Sequence, residues 1–237
     1  MQCSACGNDP PSSGPRRKTR KRRARATHGG RYLAARRSET EYEPGSNGRV
    51  LANLLGIRSA REMARVEQRE FIRTAHYAVQ QYCGAQRLTA GHLCDLHRQW
   101  LGTLYPWAGE YRQVNLSKGG FPFAAARLVP FLMGDFEENC LARYSDLSRA
   151  RSVDPWAALA EAHTEFLLIH PFRDGNGRVA RLLTTLMALR AGVPVPSFDR
   201  LRKHQREAYF AAVRAGLDRN YEPMRRVLTS LVSADRP

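Results

Sequence analysis

Residues 170–181 read His-Pro-Phe-Arg-Asp-Gly-Asn-Gly-Arg-Val-Ala-Arg and constrain the fold more than any other stretch. Ahead of them, Trp156, Leu159, His163, Phe166 and Leu167 recur at helical spacing, and Pro171 ends that helix. Behind them, from about Gly177, Val179, Leu182, Leu183, Leu186 and Met187 lay down a second apolar stripe of the same period. A glycine-rich loop preceded by a helix is not a dinucleotide-binding fingerprint, which must follow a strand. The chain is therefore expected to be built from helices, with this loop at the junction of two of them.

The flanking sequence extends that expectation. Ser59-Ala60-Arg61-Glu62 has the capping-box pattern and opens a helix to about Tyr82, with Met63, Val66, Phe71 and Tyr77 turned inward. Thr89 caps a second helix carrying Leu93, Leu96, His97 and Leu101, which Tyr105-Pro106-Trp107-Ala108-Gly109 stops. Between Val114 and Phe123, alternating apolar residues around Lys118-Gly119-Gly120 predict a short β-hairpin, the one strand-like piece. Helix resumes from about Ala124 to Tyr144. Asp154-Pro155 starts the next helix, with Asp154 as N-cap. Ala191-Gly192 closes the helix that follows the loop, and two more near 199–216 and 222–233 complete the set. His163, on an apolar stripe, is read as a satisfied core histidine.

Charge separates the ends of the chain. The net charge is +16. Eleven Lys and Arg against two acids give the first 40 residues +9, leaving +7 for the rest. Residues 1–41 are also poor in large apolar side chains, so a disordered basic tail is expected there, followed by one domain over 42–237. The tail suits a solvated extension or a nucleic-acid contact. Cys3 and Cys6 supply half a zinc site at most. Five cysteines, no apolar run long enough to span a bilayer and no secretory signal point to reduced thiols in the cytoplasm, or inside another cell after translocation.

The loop itself carries the chemistry. Gly175, Asn176 and Gly177 tolerate positive φ, and successive N–H groups at a helix N-terminus make a phosphate cradle. Arg178 and Arg181, three apart, fall on one helix face and can grip a polyphosphate. Asp174 offers the single carboxylate usual for Mg²⁺ bound together with phosphates. His170 is the one side chain there whose unperturbed pKa is near neutrality, so it can take a proton from a hydroxyl. Each feature alone is commonplace; their coincidence in twelve residues points to transfer of a phosphorus-containing group from a nucleotide.

These residues resemble the signature of the Fic family, His-Pro-Phe-x-(Asp/Glu)-Gly-Asn-Gly-Arg, at every specified position, and Arg181 resembles the second arginine that often follows. Leu96-His97-Arg98, Leu104 through Arg112 and Val114 through Lys118 resemble the segment leading into the family's hairpin, the flap. The resemblance implies an all-α, Fic-type helical bundle with one small hairpin. It implies a protein adenylyltransferase that moves AMP from ATP, with Mg²⁺, to a Ser, Thr or Tyr hydroxyl of a target protein. His170 would be the base and Asp174 the metal ligand. The Gly175–Gly177 backbone, Asn176, Arg178 and Arg181 would hold the phosphates, while Phe172 would be a buried anchor. The flap, Val114, Asn115, Leu116, Ser117, Lys118, Gly119, Gly120 and Phe121, would dock the target by pairing with its backbone.

Members with a built-in inhibitor carry Ser/Thr-x-x-x-Glu-Gly/Asn. Here Ser59 is followed by Met63 at the fourth place and Thr40 by Pro44. The chain thus resembles the toxin-like subgroup restrained by a separate antitoxin, whose Glu would engage Arg181. Kinase-like members have lysine at the position of Gly177, which favours AMP transfer here; UMP or phosphocholine transfer also occurs in the family. A nucleic-acid-binding protein working through the tail, or an inactive scaffold, would leave the loop constellation unexplained.

Overall fold

The computed structural model describes residues 41–84, 87–144, 153–201 and 205–232. The expected basic tail, with Cys3 and Cys6, lies outside them except for Glu41. Among the described residues there are seven α-helices and one two-stranded hairpin, so the all-α expectation holds.

Helix α1 (Ala60–Tyr82) starts where Ser59 Oγ accepts the Glu62 N–H. Its inward face is Met63, Glu67, Thr74, Ala78 and Tyr82. Tyr77, expected inside, is 40% exposed because the buried stripe runs one position later. Helix α2 (Ala90–Leu101) has a full capping box: Thr89 Oγ1 accepts from the His92 N–H, and His92 Nδ1 from the Thr89 N–H. All four of its predicted core positions are buried.

The hairpin pairs β1 (Ser117–Lys118) with β2 (Phe121–Pro122), Ser117 facing Pro122 and Lys118 facing Phe121. Gly119 and Gly120 have φ of 57° and 78°, the two successive positive values that a tight hairpin turn requires. An isolated bridge between Tyr42 and Leu51 is a second piece of strand-like pairing that the sequence did not announce.

The single helix expected over 124–144 is instead three pieces. A 3₁₀ turn at Ala126–Leu128 leads into α3 (Val129–Phe136), and a π-turn follows at Glu137–Leu141. The break coincides with long-range demands on Glu137: its carbonyl accepts from Arg87 and its carboxylate from the Ala90 N–H. Those contacts outweigh local helix propensity.

Helices α4 (Pro155–Ile169) and α5 (Asn176–Ala191) form the centre. Helix α4 packs on α5 and on α7 (Glu222–Ser230), and α6 (Gln205–Ala215) packs on α7. Asp154 caps α4 by accepting the Trp156 N–H. The last two helices are shorter than expected; a 3₁₀ turn at Phe198–Arg200 takes the place of the start of α6.

His163 is fully buried and satisfied. The Thr184 hydroxyl donates to the Ala180 carbonyl, so the His163 Nδ1–H donates to Thr184 Oγ1, and His163 Nε2 accepts from Tyr209. Burial lowers the pKa of His163 to about 3 and that of His97 to about 4, from an ordinary 6.5. The unfolded chain therefore binds more protons once the pH falls below 6.5, and stability drains away down to the folded values. The melting temperature should be clearly lower at pH 5 than at pH 7; a flat profile across that interval would contradict neutral buried histidines.

Candidate active site

His170 is the residue at which α4 stops, in the left-handed region with φ 53° and ψ 59°. A side chain there is uncommon and must be held. Its N–H donates to the Phe166 carbonyl, and its own carbonyl accepts from Arg112 Nε at 2.7 Å. Nδ1 lies 3.1 Å from the Leu167 carbonyl, which can only accept. Nδ1 therefore carries the proton, and Nε2 keeps the basic lone pair. The Phe123 ring lies flat on the imidazole, with centroids 3.6 Å apart and planes 9° apart. Burial, helped by Arg112 and Lys118, lowers the His170 pKa to about 4 against the opposing pull of the Leu167 bond and Asp174. At neutral pH the ring is uncharged and able to accept a proton.

Arg112 is 1% exposed. Its guanidinium donates to the carbonyls of His170, Ile169, Val114 and Ala124, and its backbone N–H to that of Pro171. Val114 and Ala124 are the two roots of the hairpin, so one buried fork joins both roots to the end of α4.

The loop after His170 is anchored from below. Phe172 is fully buried and stacks on His97, with centroids 3.9 Å apart. His97 Nδ1 accepts the Gly109 N–H, so its Nε2 donates to the Asp174 carbonyl. Gly175 takes φ 81°, and a Cβ there would sit 2.6 Å from a Trp100 ring carbon. Both facts require glycine.

Two details differ from the sequence expectation. Among Gly175, Asn176 and Gly177, only Gly175 has positive φ; the other two are the first residues of α5. The Asn176 side chain is also committed elsewhere: Oδ1 accepts the Phe172 N–H and Nδ2 donates to the Phe172 carbonyl. What remains for an anion is the backbone. The N–H groups of Asn176 and Gly177 have no hydrogen-bond partner among the described residues, as the start of a helix dictates. A Cβ at Gly177 would meet nothing within 4 Å, so the approach to those groups is open.

Arg178 and Arg181 project from the first turn and a half of α5 but meet different neighbours. Arg178 pairs with Glu67 of α1 at 2.9 Å and lies 4.2 Å over the Trp100 ring. The other oxygen of Glu67 accepts from the Tyr105 hydroxyl. Arg181 lies over Phe198. Asp174 is exposed, with Oδ1 accepting the Gly175 N–H at 2.6 Å. No cluster of three or more His, Cys, Asp or Glu forms among the described residues. Mg²⁺ bound with phosphates needs only one or two carboxylates, and an exposed Asp174 beside free backbone donors fits that demand.

In the hairpin, Ser117 through Gly120 are exposed, and Asn115 Oδ1 accepts the Ala126 N–H. Sequence reasoning did not single out Arg112, Phe123 or Glu67 for the site. Their partners lie far along the chain, and no local pattern marks them.

The fold agrees with that of known proteins. The family described as Fic/DOC matches residues 87–188. A probable protein adenylyltransferase Fic from Salmonella typhimurium is 32% identical over 153 residues, covering 63% of this chain and 72% of that protein. One of the same name from Escherichia coli is 28% identical over 188 residues, covering 78% and 88%. Against a protein adenylyltransferase Fic from Culex quinquefasciatus, 32% identical over 130 residues, the chain spans only 25% of the relative's length. Among solved structures, the Fic domain of a Bartonella effector from strain AR 15-3 aligns with TM-score 0.68 at 19% identity, covering 88% of this chain and 96% of that one. BepC from Bartonella tribocorum, solved with bound AMPPNP, aligns with TM-score 0.63 at 17% identity, covering 84% and 99%. Identities this low speak to the fold.

Proposed function

The chain belongs to the Fic/DOC family, and from that premise we propose that it is a protein adenylyltransferase, moving AMP from ATP to a hydroxyl side chain of another protein. The observation that carries this reading is the neutral His170, with its basic Nε2, at the mouth of a helix start whose Asn176 and Gly177 N–H groups are free.

Nε2 takes the proton of the target hydroxyl as its oxygen attacks the α-phosphorus. The bond from that phosphorus to the bridging oxygen breaks, and pyrophosphate leaves. The backbone donors of α5 and Arg178 hold the phosphates, with Arg181 on the γ-phosphate. Asp174 would hold the magnesium ion, which supplies charge neutralisation between phosphates when bound. The exposed hairpin edge pairs with an extended piece of the target, so the hydroxyl arrives in line. Such positioning contributes a large part of the rate in transfers of this kind.

In this reading the protein is the toxin of a pair, and its restraint is a small antitoxin whose Glu reaches Arg181. What supports it is the lack of the inhibitory pattern around Ser59 and Thr40.

The test uses the purified full chain with a cell lysate and ATP labelled at the α- or the γ-phosphate. Label on protein from the α-position alone is expected. Label from the γ-position alone would replace AMP transfer with phosphorylation. A chain that binds ATP but transfers nothing without an activator would sink the antitoxin reading.

A further inference from the structure

Resting on that reading, we propose that Phe123 is a positioning residue for His170. Its ring fixes the plane of the imidazole so that Nε2 stays aimed at the incoming hydroxyl.

Beyond the helix bond from its N–H to the Phe166 carbonyl, three contacts hold His170. Arg112 holds its carbonyl, Leu167 takes the Nδ1 proton, and Phe123 covers one face of the ring. The first two leave the ring free to swing about its last torsion at the cost of one hydrogen bond, a torsion with broad minima. The flat stack at 3.6 Å and 9° removes that freedom, because any rotation drives the imidazole edge into the phenyl face.

Phe123 is itself built in. Its N–H donates to the Leu116 carbonyl, closing the hairpin one residue beyond β2. Phe121 meets its ring edge-on at 5.7 Å and 79°. The Ala124 carbonyl next to it is gripped by Arg112. The ring is half-buried rather than presented on the hairpin's outer edge, so its place in the fold is against His170. One residue thereby closes the hairpin proposed to receive the target and orients the base proposed to deprotonate it.

The experiment uses the full chain with ¹⁵N-labelled histidine and the variants Phe123→Ala, Phe123→Leu and Phe123→Tyr. Nitrogen NMR reads the His170 tautomer without any substrate. AMP transfer to the lysate acceptor is followed in parallel over a range of ATP concentrations. Wild type and Phe123→Tyr should show a single Nδ1-protonated form and full rates. Phe123→Ala should show averaged ring-nitrogen signals and a maximal rate lower by about tenfold, since misplacement of a reacting group is expensive, with KM for ATP unchanged. Phe123→Leu, which keeps apolar bulk without a flat face, should fall between them and serves if Phe123→Ala does not fold by circular dichroism. A rate loss with an unchanged tautomer signature would overturn the proposal, since the ring would then act on the target. So would Phe123→Tyr as damaged as Phe123→Ala, or Phe123→Ala indistinguishable from wild type. If no variant, wild type included, transfers AMP, the adenylyltransferase reading fails while the NMR arm still decides the role of Phe123.

Discussion

Replacing His170 by Ala should abolish AMP transfer while ATP remains bound. A positioned general base contributes roughly 10²–10⁴-fold, and His97, the other neutral imidazole touching this loop, has both ring nitrogens engaged by Gly109 and Asp174. The groups proposed to hold the phosphates lie elsewhere: the Asn176 and Gly177 N–H groups, Arg178 and Arg181 are all on α5. Ala at φ 53° is strained, so a null result could come from a collapsed loop. His170→Asn answers that, because Asn tolerates the left-handed region better than most residues and cannot act as the base. Both variants should bind ATP like wild type by calorimetry and transfer less than about a hundredth as much label. A variant that binds ATP and still transfers near the normal rate would remove His170 from the mechanism.

The second large effect is on stability. Arg112→Met should lower the free energy of unfolding by about 3–5 kcal/mol, read from the urea midpoint, because it strands several buried carbonyls at once. Those acceptors come from α4, from His170 and from both hairpin roots. Lysine cannot rescue the site fully. Its three donors sit on one nitrogen, whereas the guanidinium fork reaches in several directions within a plane. Arg112→Lys should therefore fall between wild type and Arg112→Met. A midpoint unchanged by Arg112→Met would show that these bonds carry little weight in the fold.

The parts of the site that could be read from sequence are local ones. Helix α4, the stop at Pro171, the loop and α5 all follow from residues within a few positions of one another. The capping pairs at Ser59, Thr89 and Asp154 were legible for the same reason. What stayed hidden depends on contacts between distant segments. Glu67 and Arg178 are 111 residues apart. His97 holds the Asp174 carbonyl across 77. The failed helix over 124–144 belongs to the same class, since Arg87 and Ala90 claim Glu137. The spacing of Gly175, Asn176 and Gly177 suggested three flexible positions. The fold spends flexibility on the first alone, turns the second into a staple across Phe172, and leaves the third bare.

The Glu67–Arg178 pair also bears on where the working unit ends. The matched family segment begins at residue 87, after α1 has finished. A fragment trimmed to that segment would keep every signature residue, yet it would lose the carboxylate that steadies Arg178. It would also lose the Glu67 carbonyl that receives the Trp100 indole N–H. The piece that keeps these contacts of α5 and Trp100 is thus longer than the recognisable one, with its border drawn upstream by an ion pair.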